Sequence, residues 1–441
     1  MSLRVLCGSK MSLEVVLFFV RVGYRLSGAY VSRIAKVKPI IKTMENQNIV
    51  CFAKDWSEDP TSCNHVLMEL SKTNKVLWLN SISTRSPNLA SGRDMGKIFK
   101  KLAGFLKGPQ KVGKQMWVYT PIVLPFHHIP AAVAFNRLWL RMTIFLLTFF
   151  LGMRNFQLWT FVPTSAEYVG HMGEDLLVYY CTDNWSSFSS VDGAKIGNMV
   201  DRLAKQADIV FATSTPLVEK LRPNNPETHL AAHGVNHRLF SRAVEESAST
   251  PEDMLTIPRP TLGFYGLIED WLDQNLLIYL AKRHPEWSIV LVGRTCVDVS
   301  KLQALPNVHF LGRKPHAELP LYCKGFSVGL IPHQVNELTH HMNPIKLREY
   351  LSAGLPVVST ALPEVRQYGK HCLIAETYEE FERDIEMILA TDTPQARRER
   401  SEAMAWETWE NKVADLSRKV ERVQDRKKSG GAKLKITQPD I

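Results

Sequence analysis

Short apolar runs alternate with longer stretches of helical period along most of this chain. The runs at 48–53 (NIVCFA), 75–80 (KVLWLN), 116–121, 156–163, 176–183, 207–214 and 229–236 predict strands. Brief, nearly continuous apolar runs bounded by turn residues mark strands buried on both faces, so the pattern argues for parallel α/β architecture. A polar, proline-bearing segment at 241–260 breaks the alternation and predicts an interdomain linker. The alternation restarts at 261–266, 288–293, 307–312, 326–332, 356–360 and 371–376. Charged helical sequence follows. The expected layout is an N-terminal domain at 44–240, a second domain at 261–400, a C-terminal helix at 401–425 crossing back to the first domain, and a disordered basic tail at 426–441. Two domains also suit the length, since 441 residues exceed one ordinary core.

Residues 1–43 match no domain pattern. Met44 opens MENQNIVCFAKDW in the manner of a natural protein start, so 1–43 reads either as an over-extended start or as a genuine basic extension. The apolar run Val15–Val20 is too short for a signal core. The run LWLRMTIFLLTFFLGM at 138–153 contains Arg141 and falls short of a membrane span. It predicts a helix that is mostly core, with a membrane-surface face as the other reading.

Charge divides the chain. Residues 1–150 hold 21 Lys+Arg against 7 Asp+Glu, a balance of +14; the whole chain is +10, so the remainder is −4. A basic N-terminal half points to an anionic surface or substrate. Within it, GKIFKKLAGFLKGPQKVGK (96–114) interleaves six lysines with Phe and Leu, and reads either as an amphipathic basic surface element or as a solvated lysine-rich loop. The seven cysteines are scattered without a C-x-x-C pair, which argues against a structural zinc site and suits a reducing cytoplasm.

The densest chemical signal is NPIKLREYLSAGLPVVST, 343–360. Asn343 is a candidate helix cap, Pro344 suits the first helical position, and Gly354 suits the stop. Lys346 then lies in the first turn, with Glu349 one turn on along the same face. A helix N-terminus with an added lysine is an anion site, and a carboxylate beside it needs a neutral hydrogen-bond donor such as a ribose diol. The face therefore reads as a nucleoside-diphosphate site, or as a plain surface ion pair.

The stretches 262–293, 305–333 and 336–365 resemble the C-terminal domain of GT-B glycosyltransferases of the glycosyltransferase 4 (group 1) type. Within that family they look most like the teichuronic-acid and exopolysaccharide transferases. YYCTDNWSSF (179–188) and HGVNHRLF (233–240) resemble parts of the N-terminal domain. The resemblance implies two Rossmann-like domains facing a central cleft. It implies a nucleotide-sugar donor, UDP or GDP type, with Lys346 at the pyrophosphate and Glu349 at the ribose. Asn343, Pro344, Ile345 and the turn STALPEV with Glu364 would line the donor site, and Arg313 and Lys314 in the loop GRKP would hold the base. It also implies transfer with retention. Two departures stand out. His341 occupies a position where many members have Glu, and GLIEDWLD carries acids where members often have Arg and Lys. Arg294, just past a strand end, is a candidate replacement for that charge.

Asp183 ends the predicted strand 176–183 and is either an acceptor-side base or a helix cap. Asn64, His65 and His233 are candidates for the acceptor side. The D-x-D metal motif is absent, so the expected reaction needs no metal or other cofactor. The expected partners are a nucleotide-sugar, a lipid-linked or glycan acceptor and an anionic membrane surface, at the inner face of the cytoplasmic membrane, with no nucleic acid. The rival readings are a catalytically degenerate binding or scaffolding protein and a nucleotide-sugar epimerase.

Overall fold

The computed structural model describes residues 43–436 apart from 83–91, 125, 127, 128, 190 and 246. The readings of residues 1–42 lie outside that set. Two sheets form the frame. The first contains β1 (Asn48–Phe52), β2 (Lys75–Leu79), β3 (Gln110–Gly113), β4 (Met116–Tyr119), β5 (Phe156–Thr160), β6 (Leu176–Cys181), β7 (Ile209–Ala212) and β8 (Thr228–Leu230). Their order is β3-β4-β2-β1-β5-β6-β7-β8, parallel except for the β3–β4 pair. The second contains β9 (Thr261–Tyr265), β10 (Ser288–Val292), β11 (Val308–Gly312), β12 (Val328–Ile331), β13 (Val357–Thr360) and β14 (Leu373–Ala375), in the order β11-β10-β9-β12-β13-β14, with every pair parallel.

Each sheet is buried on both faces, which is why its strands read as continuous apolar runs. One face of the first sheet (Val50, Leu77, Leu158, Tyr179) is covered by α2 (Gly92–Leu106), α3 (Pro130–Phe150), α4 (Gly193–Gln206) and α5 (Thr215–Leu221). The other face (Ile49, Trp78, Trp159, Tyr180) is covered by α1 (Ser62–Leu70). In the second domain, α6 (Gln274–Arg283) and α9 (Tyr378–Thr391) cover one face. The helices α7 (Leu319–Gly325) and α8 (Ile345–Ser352) cover the other. After α10 (Pro394–Ala403), the last helix α11 (Trp409–Ile436) sets Trp409, Val413, Leu416, Val420 and Val423 into the same cluster as α1 on the first sheet.

Several expectations change. Helix α11 runs through Ile436, so the tail expected from 426 is helical for its first eleven residues. Arg426 to Glu227 (2.8 Å) and Lys427 to Asp208 (2.7 Å) tie it to the first domain. Residues 437–441 lie outside the described set. The stretch 96–114 is not one amphipathic element: it spans most of α2 and the exposed antiparallel edge strand β3. The run 138–153 is not mostly core. Of α3, Ala132, Asn136, Leu140, Ile144 and Thr148 are buried, while most of its Phe, Leu, Trp and Met residues face outward. The segment 241–260 contributes Met254 to the second domain's core.

Candidate active site

The strand ends of the two sheets meet, and polar side chains cross between them. Past β7, the Thr213 carbonyl accepts from Asn343 Nδ2 at 2.6 Å, Ser214 Oγ donates to the His341 carbonyl at 2.6 Å, and the Thr215 amide donates to Glu364 Oε1 at 2.7 Å. Ser189 Oγ donates to Asp270 at 2.5 Å, and Arg313 pairs with Asp59 past β1.

Lys346 sits in the first turn of α8 at the mouth of this contact. Its stem lies against the end of β9: a Cβ on Gly266 would stand 3.1 Å from Lys346 Cε. Gly266 has φ +144, a region that favours glycine. Among the described residues the Lys346 ammonium has no hydrogen-bond or ion-pair partner. Its charge is nonetheless felt on three sides. It helps hold down the His233 and His333 imidazoles, and it opposes the burial that raises the Asp183 carboxyl. The charges of Asp183 and Lys346 are thus felt across the two domains.

Glu349 is buried, and its two oxygens are oriented. Tyr265 Oη donates to Oε2 at 2.8 Å, and His316 Nε2 stands 3.0 Å from Oε1. Each carboxylate oxygen retains acceptor capacity for a further donor. A neutral hydroxyl ligand meets that requirement, whereas an anion placed there is repelled.

His333 lies two residues past the end of β12 and is 5% exposed, yet among the described residues its Nδ1 has no partner. Burial, then the Lys346 charge, pushes its imidazole down to about 3, so the ring is neutral. A buried unpartnered ring nitrogen beside a free ammonium is a place for a polar ligand. His333, His316 and Tyr265 were not among the sequence candidates. The available signal was position, since His333 and Tyr265 stand at strand ends.

The remaining candidates divide. Asn343 does not cap α8. Pro344, with ψ 107, occupies the cap position without a side-chain bond, while Asn343 Oδ1 accepts from buried Arg348 at 2.7 Å. Ile345 packs against the first domain's core. Glu364, 1% exposed, accepts from the Thr215 amide that opens α5 and from Asn343 at 3.2 Å. His341 is held by the Glu337 carbonyl at 2.9 Å and by Asn184 at 3.4 Å. Asn343, Ile345, Glu364 and His341 thus hold the domains together. Lys314 is engaged with Asp253 at 2.7 Å, and Arg313 with Asp59. Arg294 is exposed just past β10, next to the Gly293–Gly266 contact.

On the first domain, Asn64 accepts from the Thr61 amide at 3.0 Å, within the capping box of α1. His65 stacks on Trp409 at 4.9 Å, 6.0 Å from the His316 ring. His233 bonds Ser62 Oγ at 2.9 Å. Asp183 borders a cavity of about 220 Å³ lined by Asn184, Trp185 and Lys220. The one side-chain group suited to a metal among the described residues is His284, Glu382 and Glu386. It lies at the C-terminal end of α6, away from the strand ends, and Glu382 already accepts from Arg283 at 2.8 Å and Tyr279 at 2.7 Å.

Residues 259–391 match the family model described as glycosyl transferases group 1. The second domain is thus similar to the glycosyl transferases of group 1. Lys346, Glu349 and His333 all fall inside the matched segment. TuaH of Bacillus subtilis strain 168, named as a teichuronic acid biosynthesis glycosyltransferase on a provisional basis, is 29% identical over 236 residues, covering 49% of this chain and 58% of that protein. The chain therefore spans little more than half the length of that relative. Two solved structures share the whole architecture. HepE of Anabaena, crystallised with UDP and glucose, gives TM-score 0.58 at 13% identity, covering 84% of this chain and 99% of that one. Sucrose-phosphate synthase of Thermosynechococcus elongatus gives 0.61 at 14%, covering 86% and 100%. The two domains thus share the GT-B fold of those structures.

Proposed function

We propose that the protein transfers a sugar from a nucleotide-sugar donor to a glycan acceptor in cell-surface polysaccharide synthesis. The observation that carries this reading is the unpaired Lys346 ammonium, set one turn before an oriented, buried Glu349. Negative charge grows on the departing diphosphate during glycosyl transfer, and a fixed cation there lowers the barrier. Lys346 receives that charge, and Glu349 accepts from the ribose hydroxyls. The neutral His333 contributes a hydrogen bond to the donor. Asp183, its carboxyl raised chiefly by burial, orients the acceptor hydroxyl. HepE, with UDP and glucose bound, supports a UDP-type donor for a chain of this fold.

The finer reading is a hexosyl transfer with retention to a lipid-linked acceptor at the inner face of the cytoplasmic membrane, reached through the basic stretch 96–114. With Lys346 supplying the charge, turnover does not respond to a chelator. The test is release of nucleoside diphosphate from a panel of UDP- and GDP-sugars in the presence of membrane lipid extract. Nucleotide binding without turnover on any donor favours the scaffolding alternative.

A further inference from the structure

We propose that the outward face of α3 is a membrane-insertion surface, lying in the interfacial plane of an anionic bilayer. This rests on, and deepens, the peripheral-membrane reading above. Helix α3 is long and apolar enough, by length and composition, to cross a membrane. It does not leave the domain: Leu140 and Ile144 are fully buried against the first sheet. Asn136 exchanges hydrogen bonds with the Leu124 backbone at 2.7 and 2.9 Å, and Arg137 donates to the Glu167 carbonyl at 3.1 Å. The opposite face carries Leu138 (60% exposed), Met142 (52%), Phe145 (64%), Phe149 (55%) and Phe150 (79%), with Trp139 at 38%. Leu138, Met142, Phe145 and Phe149 repeat every three to four residues, one stripe on a helix surface. Such a stripe pointing to water needs a cover.

Charge selects the occupant. Residues 95–154 contain nine Lys and Arg and no Asp or Glu. Helix α2 covers the same sheet face as α3, and there Phe99 and Leu106 are 64% and 75% exposed beside exposed Lys100 and Lys107. Apolar side chains framed by cations, with no acid among them, fit an interface of acyl chains beneath anionic headgroups. Because α3 follows the C-terminal end of β4, its first turn lies at the strand-end side of the domain. A bilayer along α3 therefore borders the cleft and brings a lipid-linked acceptor to its rim.

The full chain is floated with phosphatidylglycerol vesicles at low salt, and again at a salt concentration that shortens the Debye length to about 3 Å. We expect binding at low salt and a retained fraction at high salt. In Leu138→Glu/Phe145→Glu/Phe149→Glu we expect the high-salt fraction to fall by roughly 10²-fold or more, with an unchanged melting temperature, because these residues touch no core. Lys100→Gln/Lys107→Gln/Lys111→Gln/Lys114→Gln should weaken low-salt capture and leave high-salt retention of protein already bound. Brominated acyl chains should quench wild-type fluorescence more than that of Trp139→Phe. Low-salt binding that disappears entirely in high salt, or survives the glutamates, overturns insertion but keeps the electrostatic reading. No wild-type binding at either salt overturns both. A concentration-dependent dimer that the glutamates dissolve, without vesicle binding, assigns the face to a second copy and overturns the proposal.

Discussion

At the strand ends of the first domain, polar groups are occupied in holding the second. The Thr213 carbonyl, the Ser214 hydroxyl, the Thr215 amide and Asn184 all bond to Asn343, His341 or Glu364. At the strand ends of the second domain, Lys346 and His333 Nδ1 have no partner among the described residues, while Glu349 is oriented with acceptor capacity to spare. Side chains a few residues apart in one motif, 341–349, thus divide between those spent on joining two domains and those with hydrogen-bonding capacity left over. Position in the motif does not separate the two kinds; partnership does.

The sharpest way to break this comparison is to remove one residue of each kind. Lys346→Ala should cut turnover about 10²–10³-fold, the usual effect of deleting a group that meets developing charge. Its melting temperature should stay near wild type. An inactive variant that is also unfolded would move Lys346 to the structural side. Glu364→Ala should do the reverse. It strands the Thr215 amide and should destabilise by about 1–3 kcal/mol in denaturant titration, while Glu364→Gln recovers part of the loss. An unchanged midpoint for Glu364→Ala would make its contacts incidental.

Glu349 lies between the two kinds. Glu349→Ala should weaken nucleoside-diphosphate binding by roughly tenfold, about one good hydrogen bond to a charged acceptor, and Glu349→Gln by less. Wild-type protein should also prefer a ribonucleotide to its 2′,3′-dideoxy counterpart in calorimetry. Equal affinity for the two would remove the ribose from Glu349.

A gentler probe is pH. Burial pushes His65 down to about 4, and His233 and His333 down to about 3, from 6.5. The unfolded chain takes up protons at these sites below about 6.5 while the folded chain resists, so stability falls as pH drops from about 6.5 toward 4. Asp183, its carboxyl raised by burial, works in the opposite sense. Scanning calorimetry should show a declining melting temperature across that window. A flat profile would mean that these rings take up protons as readily in the fold as in the unfolded chain.

Most of the frame was legible because strands buried on both faces announce themselves as apolar runs. The exception was β3, QKVG, an exposed edge strand with almost no apolar content. Helix α3 misled for the converse reason. Apolar residues all around a helix signal burial by something, and sequence does not say whether that is protein or lipid. The placement of Lys346 and Glu349 on one helix, a turn apart, was legible from their spacing after a helix start. The cap was misassigned, because Asn343 is a favourable cap type whose side chain instead crosses to Thr213 and Arg348, a partnership set by tertiary contact. Arg313 and Lys314 looked free in a basic loop, and their partners Asp59 and Asp253 are distant in sequence.

The central claim is that the strand ends of the second sheet bind a nucleoside diphosphate with Lys346 at its phosphates. Calorimetric titration of UDP and of GDP into wild-type protein and Lys346→Ala tests it most directly. The account predicts saturable binding of at least one nucleotide by the wild type, and an affinity at least tenfold lower in the variant, the scale of one charge-assisted contact. Equal affinity in the two proteins, or no binding of either nucleotide by folded wild-type protein, would contradict it.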